Sequence, residues 1–247
     1  MSNKYNKNIR TIRRHFDNLD VNKNDGEPYS YPVSLVFDGT FFGRGYGLMI
    51  YRANCKNIYW REIDNEKIAY ISEDLCHLQA VGWQFSSFTI DGRKGIKQLL
   101  EKLFPNVPIQ MCIFHQKKVV QRCITNKPKT DCGKEIKELM SLITFFSEEE
   151  FSRKLQDIKD KYKYFLLERN ENKRFVHREL RRAIRSLSDN KSYLFSCKKY
   201  PELSIPNTTN SCDGSFAHWK SKVKIHRGLR KNRRIKMINF LLGLQQK

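Results

Sequence analysis

Leu35-Val36-Phe37-Asp38-Gly39-Thr40 and Phe88-Thr89-Ile90-Asp91-Gly92-Arg93 are the two stretches whose reading decides the fold. In each, apolar and β-prone residues run into an aspartate followed by glycine, the pattern of a buried strand that ends and releases a carboxylate at its C-terminal tip. Either phrase alone is also an ordinary turn, because Asp-Gly marks turns generally. As a pair they raise the possibility of a shared metal site, and the rest of the chain decides what they mean.

Around the first stretch, three strands are expected at Val33 to Phe37, Tyr46 to Arg52 and Asn57 to Ile63. Gly43-Arg44-Gly45-Tyr46-Gly47 is glycine-rich like a phosphate-cradling loop, but it joins two strands and opens no helix, so it reads as a hairpin turn. Glu66 to Val81 carries Ile68, Ile71, Leu75, Leu78 and Val81 at helical spacing, ahead of a strand from Gln84 to Ile90. A helix from Lys94 to Leu103 follows, then a short strand from Ile109 to Cys112 that leads into a helix carrying His115. From about Lys117 to Leu187 the pattern is helical and heavily charged, with no strand signal, and a loop from Asp189 to Pro206 returns the chain to the core.

The 247 residues suffice for one domain with an inserted subdomain. Lysine and arginine number 47 against 26 aspartate and glutamate, a net charge of +21, which makes a polyanion, and nucleic acid first, the expected partner. No apolar run approaches the roughly 20 residues that span a bilayer, and the start is polar rather than signal-like, so no membrane role is expected. The seven cysteines lack paired spacing and fit reduced thiols in an intracellular protein, cytoplasmic on the nucleoid or nuclear according to the host. Cys112, His115, Cys123 and Cys132 do not have the gaps of two closely spaced zinc-ligand pairs.

Two further segments give the Asp-Gly pair its company: Cys112-Ile113-Phe114-His115, and Asn207-Thr208-Thr209-Asn210-Ser211-Cys212-Asp213-Gly214. As an ordered set, from about Val33 to about Leu242, these resemble the catalytic domain of Mutator-type transposases. The resemblance implies an α/β fold, a ribonuclease H-like mixed sheet with an all-helical insertion before the last catalytic helix. The first and fourth strands would then lie side by side, making Asp38 and Asp91 neighbours. The expected organisation is a basic arm and linker over 1–30, the first part of the core over 31–116, the helical insertion and return loop over 117–206, and the last catalytic helix with a basic segment over 207–247. The DNA-binding region often found ahead of this core in the family has no counterpart here, and the family's usual glutamate is replaced by Asp213.

The resemblance further implies metal-dependent cleavage of DNA at mobile-element ends and transfer of the freed 3′-hydroxyl to target DNA, by a homo-oligomer holding two ends. Such chemistry uses two hard divalent cations, Mg2+ or Mn2+, about 3.5–4 Å apart, for which carboxylates are suitable ligands. Asp38 would bridge both ions, Asp91 would hold one and Asp213 the other. Asp213 also suits the first turn of a helix beginning near Asn210 or Ser211, where an acidic residue stabilises the helix dipole. An aspartate reaches about 1.5 Å less far than glutamate, a misplacement that can cost orders of magnitude in rate. His115 is expected near the scissile phosphate as a donor or proton shuttle, with Cys112 and Asn207 as structural members of the motifs.

Beyond Asp213 there is no acidic residue, while Lys220, Lys222, Lys224, His226, Arg227, Arg230, Lys231, Arg233, Arg234 and Lys236 accumulate. These are candidate phosphate-backbone contacts, which position DNA without reading its sequence. Trp219 is assigned to core packing in preference to base stacking. Two alternatives stay open: a weakened or domesticated transposase remnant that binds DNA without cutting it, and another ribonuclease H-like nuclease.

Overall fold

The computed structural model describes residues 8–19, 26–225 and 228–244, and leaves out the side chain of Asp213. At its centre is β1 (Val33–Phe41), flanked by the antiparallel β2 (Gly47–Ala53) and, on its other edge, the parallel β4 (Phe85–Ile90). β3 (Lys56–Ile63) extends the sheet beyond β2, and β5 (Ile109–Met111) pairs parallel with β4, giving the order β3-β2-β1-β4-β5. The result is an α/β protein with a five-stranded mixed sheet, an arrangement compatible with the ribonuclease H-like expectation.

Alternation along β1 sends its side chains into two different cores. Val33, Leu35 and Phe37 pack with α2 (Ile68–Val81) and α3 (Lys94–Leu103), whose Ile71, Leu75, Leu78, Ile96 and Leu100 cover one face. Val36 of β1, with Leu48, Ile50 and Trp60, packs on the other face against α10 (Asn210–Ile225) and α11 (Lys231–Gly243). The α10 contribution is Cys212, Phe216, Trp219 and Val223, a helical stripe at spacings of three and four. Trp219 is 1% exposed, so the expectation of core packing holds.

Between β5 and α10 lies a helical unit: α4 (Ile113–Ile124), α5 (Asp131–Ser141), α6 (Glu148–Lys161), α7 (Lys163–Leu167) and α8 (Arg178–Leu194), followed by the single turn α9 (Ser196–Lys199). It has its own core, with Val120, Ile136, Phe151, Leu155, Ala183 and Leu187 among its buried members. A capping box starts α6: Ser147 Oγ accepts from Glu150 N at 3.1 Å, and Ser147 N donates to Glu150 Oε2 at 2.8 Å.

Three sequence expectations are corrected. First, β1 does not stop at Phe37: its ladder with β2 continues to the Phe41–Gly47 pair, so Asp38 lies inside a strand, not at its tip. Its pairing with β4 does end near the aspartate, at Val36–Thr89. Second, the expected return loop from Asp189 is helical as far as Leu194. The turn-forming residues Asp189 and Asn190 are overridden because Leu194 is buried and Asn190 Nδ2 donates to Gln116 Oε1 at 3.3 Å.

Third, the arm over 1–30 contains a helix, α1 (Ile9–Asn18), capped by the Asn8 side chain, although none of its residues is buried. Ile9, Ile12, Phe16 and Leu19 carry a helical period that is easily missed among the charges. α1 is tied to α11 by Asp17, which accepts from Arg233 Nε at 2.7 Å and Nη2 at 2.5 Å, while Lys236 donates to the Asp17 backbone carbonyl. The hydrogen bond from Arg233 holds the Asp17 carboxyl below its ordinary 3.8. A lowered folded-state value means the contact is present above that ordinary value and is lost as pH falls through the lowered one. Asp17→Asn should therefore raise amide exchange or proteolysis in residues 8–19 at neutral pH and remove the acid sensitivity of that protection. Unchanged protection in the variant would show that α1 is held otherwise.

Candidate active site

Asp38, within β1, and Asp91, just past the end of β4, each lie two residues beyond the last pair of the parallel β1–β4 ladder. Ser34 pairs with Ser87, Leu35 with Phe88 and Val36 with Thr89, so two further residues carry the register to Asp38 and Asp91. Asp38 shares the strand parity of Val36, whose side of the sheet is covered by α10. Each carboxylate is oriented locally: Gly39 N donates to Asp38 Oδ1 at 2.8 Å, and Arg93 N to Asp91 Oδ1 at 3.2 Å.

The glycine after each aspartate has its own reason. Gly92 has φ +78°, a backbone conformation that favours glycine, and an added Cβ there would also displace the terminal methyl of Met111. Gly39 leaves room for Glu66, whose Oε1 would be 2.4 Å from an added Cβ. Glu66 is itself held by Arg93, through its carboxylate and through Arg93 Nη2 to the Glu66 carbonyl at 3.1 Å. This Glu66–Arg93 pair links the residue after Asp38 to the turn after Asp91, a link that sequence periodicity did not reveal.

Gly39→Ala should displace the Glu66 carboxylate from Arg93 at little cost in stability, about 1 kcal/mol or less, because the obstructing atom ends a flexible side chain. In the active-enzyme reading below, cleavage should fall by about tenfold through the disturbed spacing of the two aspartates. Equal cleavage by the variant would remove the pair from the site's architecture.

The return segment is fastened to the same end of the sheet. Thr89 Oγ1 donates to the Pro206 carbonyl at 2.7 Å, and Ile113 N to the Asn207 carbonyl at 3.0 Å. Buried Cys112 accepts at Sγ from Thr209 N at 3.3 Å and from Thr209 Oγ1 at 3.5 Å. Burial pushes the Cys112 thiol upward, but hydrogen bonds from His115 and Thr209 outweigh it and leave it below its ordinary 9.0. His115, half-buried, thus contacts Cys112, and its Nδ1 lies 3.4 Å from Thr209 Oγ1. Its described partners tie α4 to the start of α10, a positioning geometry. Thr209 is fully buried, and no local signal distinguishes it from an ordinary capping residue.

Arg52, buried in β2, fixes α10 from the other side: Nη1 donates to the Ser211 carbonyl and to Ser215 Oγ, and Nη2 to the Cys55 carbonyl. A buried arginine in an apolar strand has no sequence signature of this role; its partners lie 159 residues or more away at Ser211 and Ser215. Asp213 falls within the first turn of the helix so anchored.

In the basic segment, Lys220, Lys222, Lys224, Arg230 and Lys231 are exposed. The Arg233 guanidinium is engaged by Asp17. Arg234 is half-buried, with Nη2 3.5 Å from the Leu229 carbonyl, while His226 and Arg227 lie outside the described residues.

Comparison with protein-family models and with curated proteins gives no match. Among the described residues no group of three metal-ligating side chains comes together. Among the described residues no helix is long and apolar enough to cross a membrane.

Proposed function

We propose that the protein is a DNA-processing enzyme of the Mutator transposase type, with a ribonuclease H-like core that cleaves and transfers DNA strands by metal-dependent phosphoryl transfer. The observation that supports this reading is the parallel pairing of β1 with β4, which ends at Val36–Thr89 two residues before Asp38 and Asp91, on a sheet whose Val36 face packs against the helix that contains Asp213. Mg2+ or Mn2+ bound there would stabilise charge on the attacking and departing oxygens. The chain's own part is to hold the carboxylates: Gly39 N and Arg93 N orient them, the Glu66–Arg93 pair spaces them, and Arg52 with the Thr209–Cys112 contact seats α10. The net charge of +21 and the exposed lysines of α10 suit a DNA backbone. A homo-oligomer holding two DNA ends belongs to the same reading.

A second reading is favoured by one residue. Asp213 stands where the resembling family has glutamate, and the shorter side chain suits a remnant that binds DNA without cutting it. The test is an assay on labelled linear and supercoiled DNA with Mg2+ or Mn2+, comparing the natural chain with Asp213→Glu. Nicking by the natural chain supports the enzyme. Salt-sensitive binding with cleavage only in Asp213→Glu supports the remnant, and absence of both binding and cleavage in every variant rejects both readings.

A further inference from the structure

Helix α4 starts at the candidate site and presents one face that the fold does not use. Its inner side is committed: Ile113, Gln116, Val120 and Ile124 are buried. On its outer side Phe114, Lys118 and Arg122 follow at intervals of four, one continuous stripe of about 12 Å. Phe114 is 40% exposed, with its ring 6.0 Å from that of His115 in an edge-on arrangement. Lys118 Nζ sits 4.1 Å from the centre of the same ring. Lys118 and Arg122 then line a groove of about 370 Å³ with Gln121, Thr125 and Asn126. No acidic residue occurs anywhere in α4.

A partly exposed apolar ring next to His115 of the candidate site, with one cation over one of its faces and a second a turn further on, has the complement of an unpaired nucleotide strand: a ring for a base to stack on and positive charge for phosphates. A duplex would satisfy the cations but leave the ring without a base to stack on, because its bases are already stacked on one another. We infer that the outer stripe of α4 is a track for the single-stranded DNA flanking the cleavage point, Phe114 stacking on a base and Lys118 and Arg122 holding the adjacent phosphates. The inference rests on the DNA-processing reading above and adds to it a strand-specific contact surface.

The test uses the full chain and a fluorescein-labelled twelve-residue oligothymidylate, with a duplex of equal length and inorganic polyphosphate as the charge-only probe. Phe114→Leu should weaken oligothymidylate binding by about tenfold while changing duplex and polyphosphate binding less than about twofold, and Phe114→Trp should retain the natural affinity. Lys118→Gln with Arg122→Gln should weaken binding of all three and lower the slope of log affinity against log salt by about 1.4 for the single strand. Thermal unfolding confirms that each exposed substitution leaves the fold intact. If Phe114→Leu binds the single strand as well as the natural chain, or loses duplex and single strand equally, the track is overturned while the DNA-processing reading stands. If the natural chain binds no DNA at all, that reading falls with it.

Discussion

Asp38→Asn and Asp91→Asn, made separately, should each reduce metal-dependent DNA cleavage by about a thousandfold or more, since each removes a ligand charge from a site worth several kcal/mol to the transition state. Asparagine keeps the shape of the side chain and the oxygen that accepts from Gly39 N or Arg93 N, so the turn geometry at both positions survives. Thermal stability and DNA binding should stay close to those of the natural chain. This separation is what distinguishes a metal-ligand role from a turn-forming one: if the aspartates only cap their turns, asparagine is equivalent and cleavage persists. Persistent cleavage in both variants would eliminate the proposed site.

Trp219→Ala should have the largest effect on stability, a loss of about 3–5 kcal/mol for truncating a fully buried aromatic. For a chain of this size that corresponds to a fall in Tm of about 10 °C, measurable by calorimetry or circular dichroism. Trp219 is 1% exposed and lies in the cluster that joins Val36, Leu48 and Ile50 of the sheet to α10 and α11. The cavity would loosen α10 over the sheet, so cleavage should fall below the level explained by unfolding alone, and Trp219→Phe should recover most of both properties. A variant that kept its Tm but lost DNA affinity would instead place Trp219 on the DNA.

The two predictions probe information of different kinds. That β1 and β4 are strands running into Asp-Gly was legible because apolar, β-prone residues lead directly into each dipeptide. The hairpin at Gly43 to Gly47 was legible for a similar reason: Gly43 and Gly45 have positive φ, and Phe42 N donates to the Tyr46 carbonyl at 3.0 Å to close the turn. α1 carried a readable apolar period that the surrounding arginines obscured. The helical course through Asp189 and Asn190 was not readable locally, because burial of Leu194 and a contact to Gln116 override the turn preference of those residues.

By itself, then, the amino-acid order determined the strands and most helices, and made a polyanion the partner to expect, since periodicity, turn chemistry and net charge are properties of neighbouring residues or of composition. The tertiary structure decided the rest. It ran β1 past Asp38, because β2 extends the ladder on one edge after β4 has stopped on the other. It set Glu66 and Arg93 across the two aspartate turns, buried Arg52 under the start of α10 and fastened Thr209 to Cys112. It also paired Arg233 with Asp17, 216 residues away. Each of these is a contact between segments distant in the chain, which forms only when packing brings its partners together and leaves no pattern in the residues around either one.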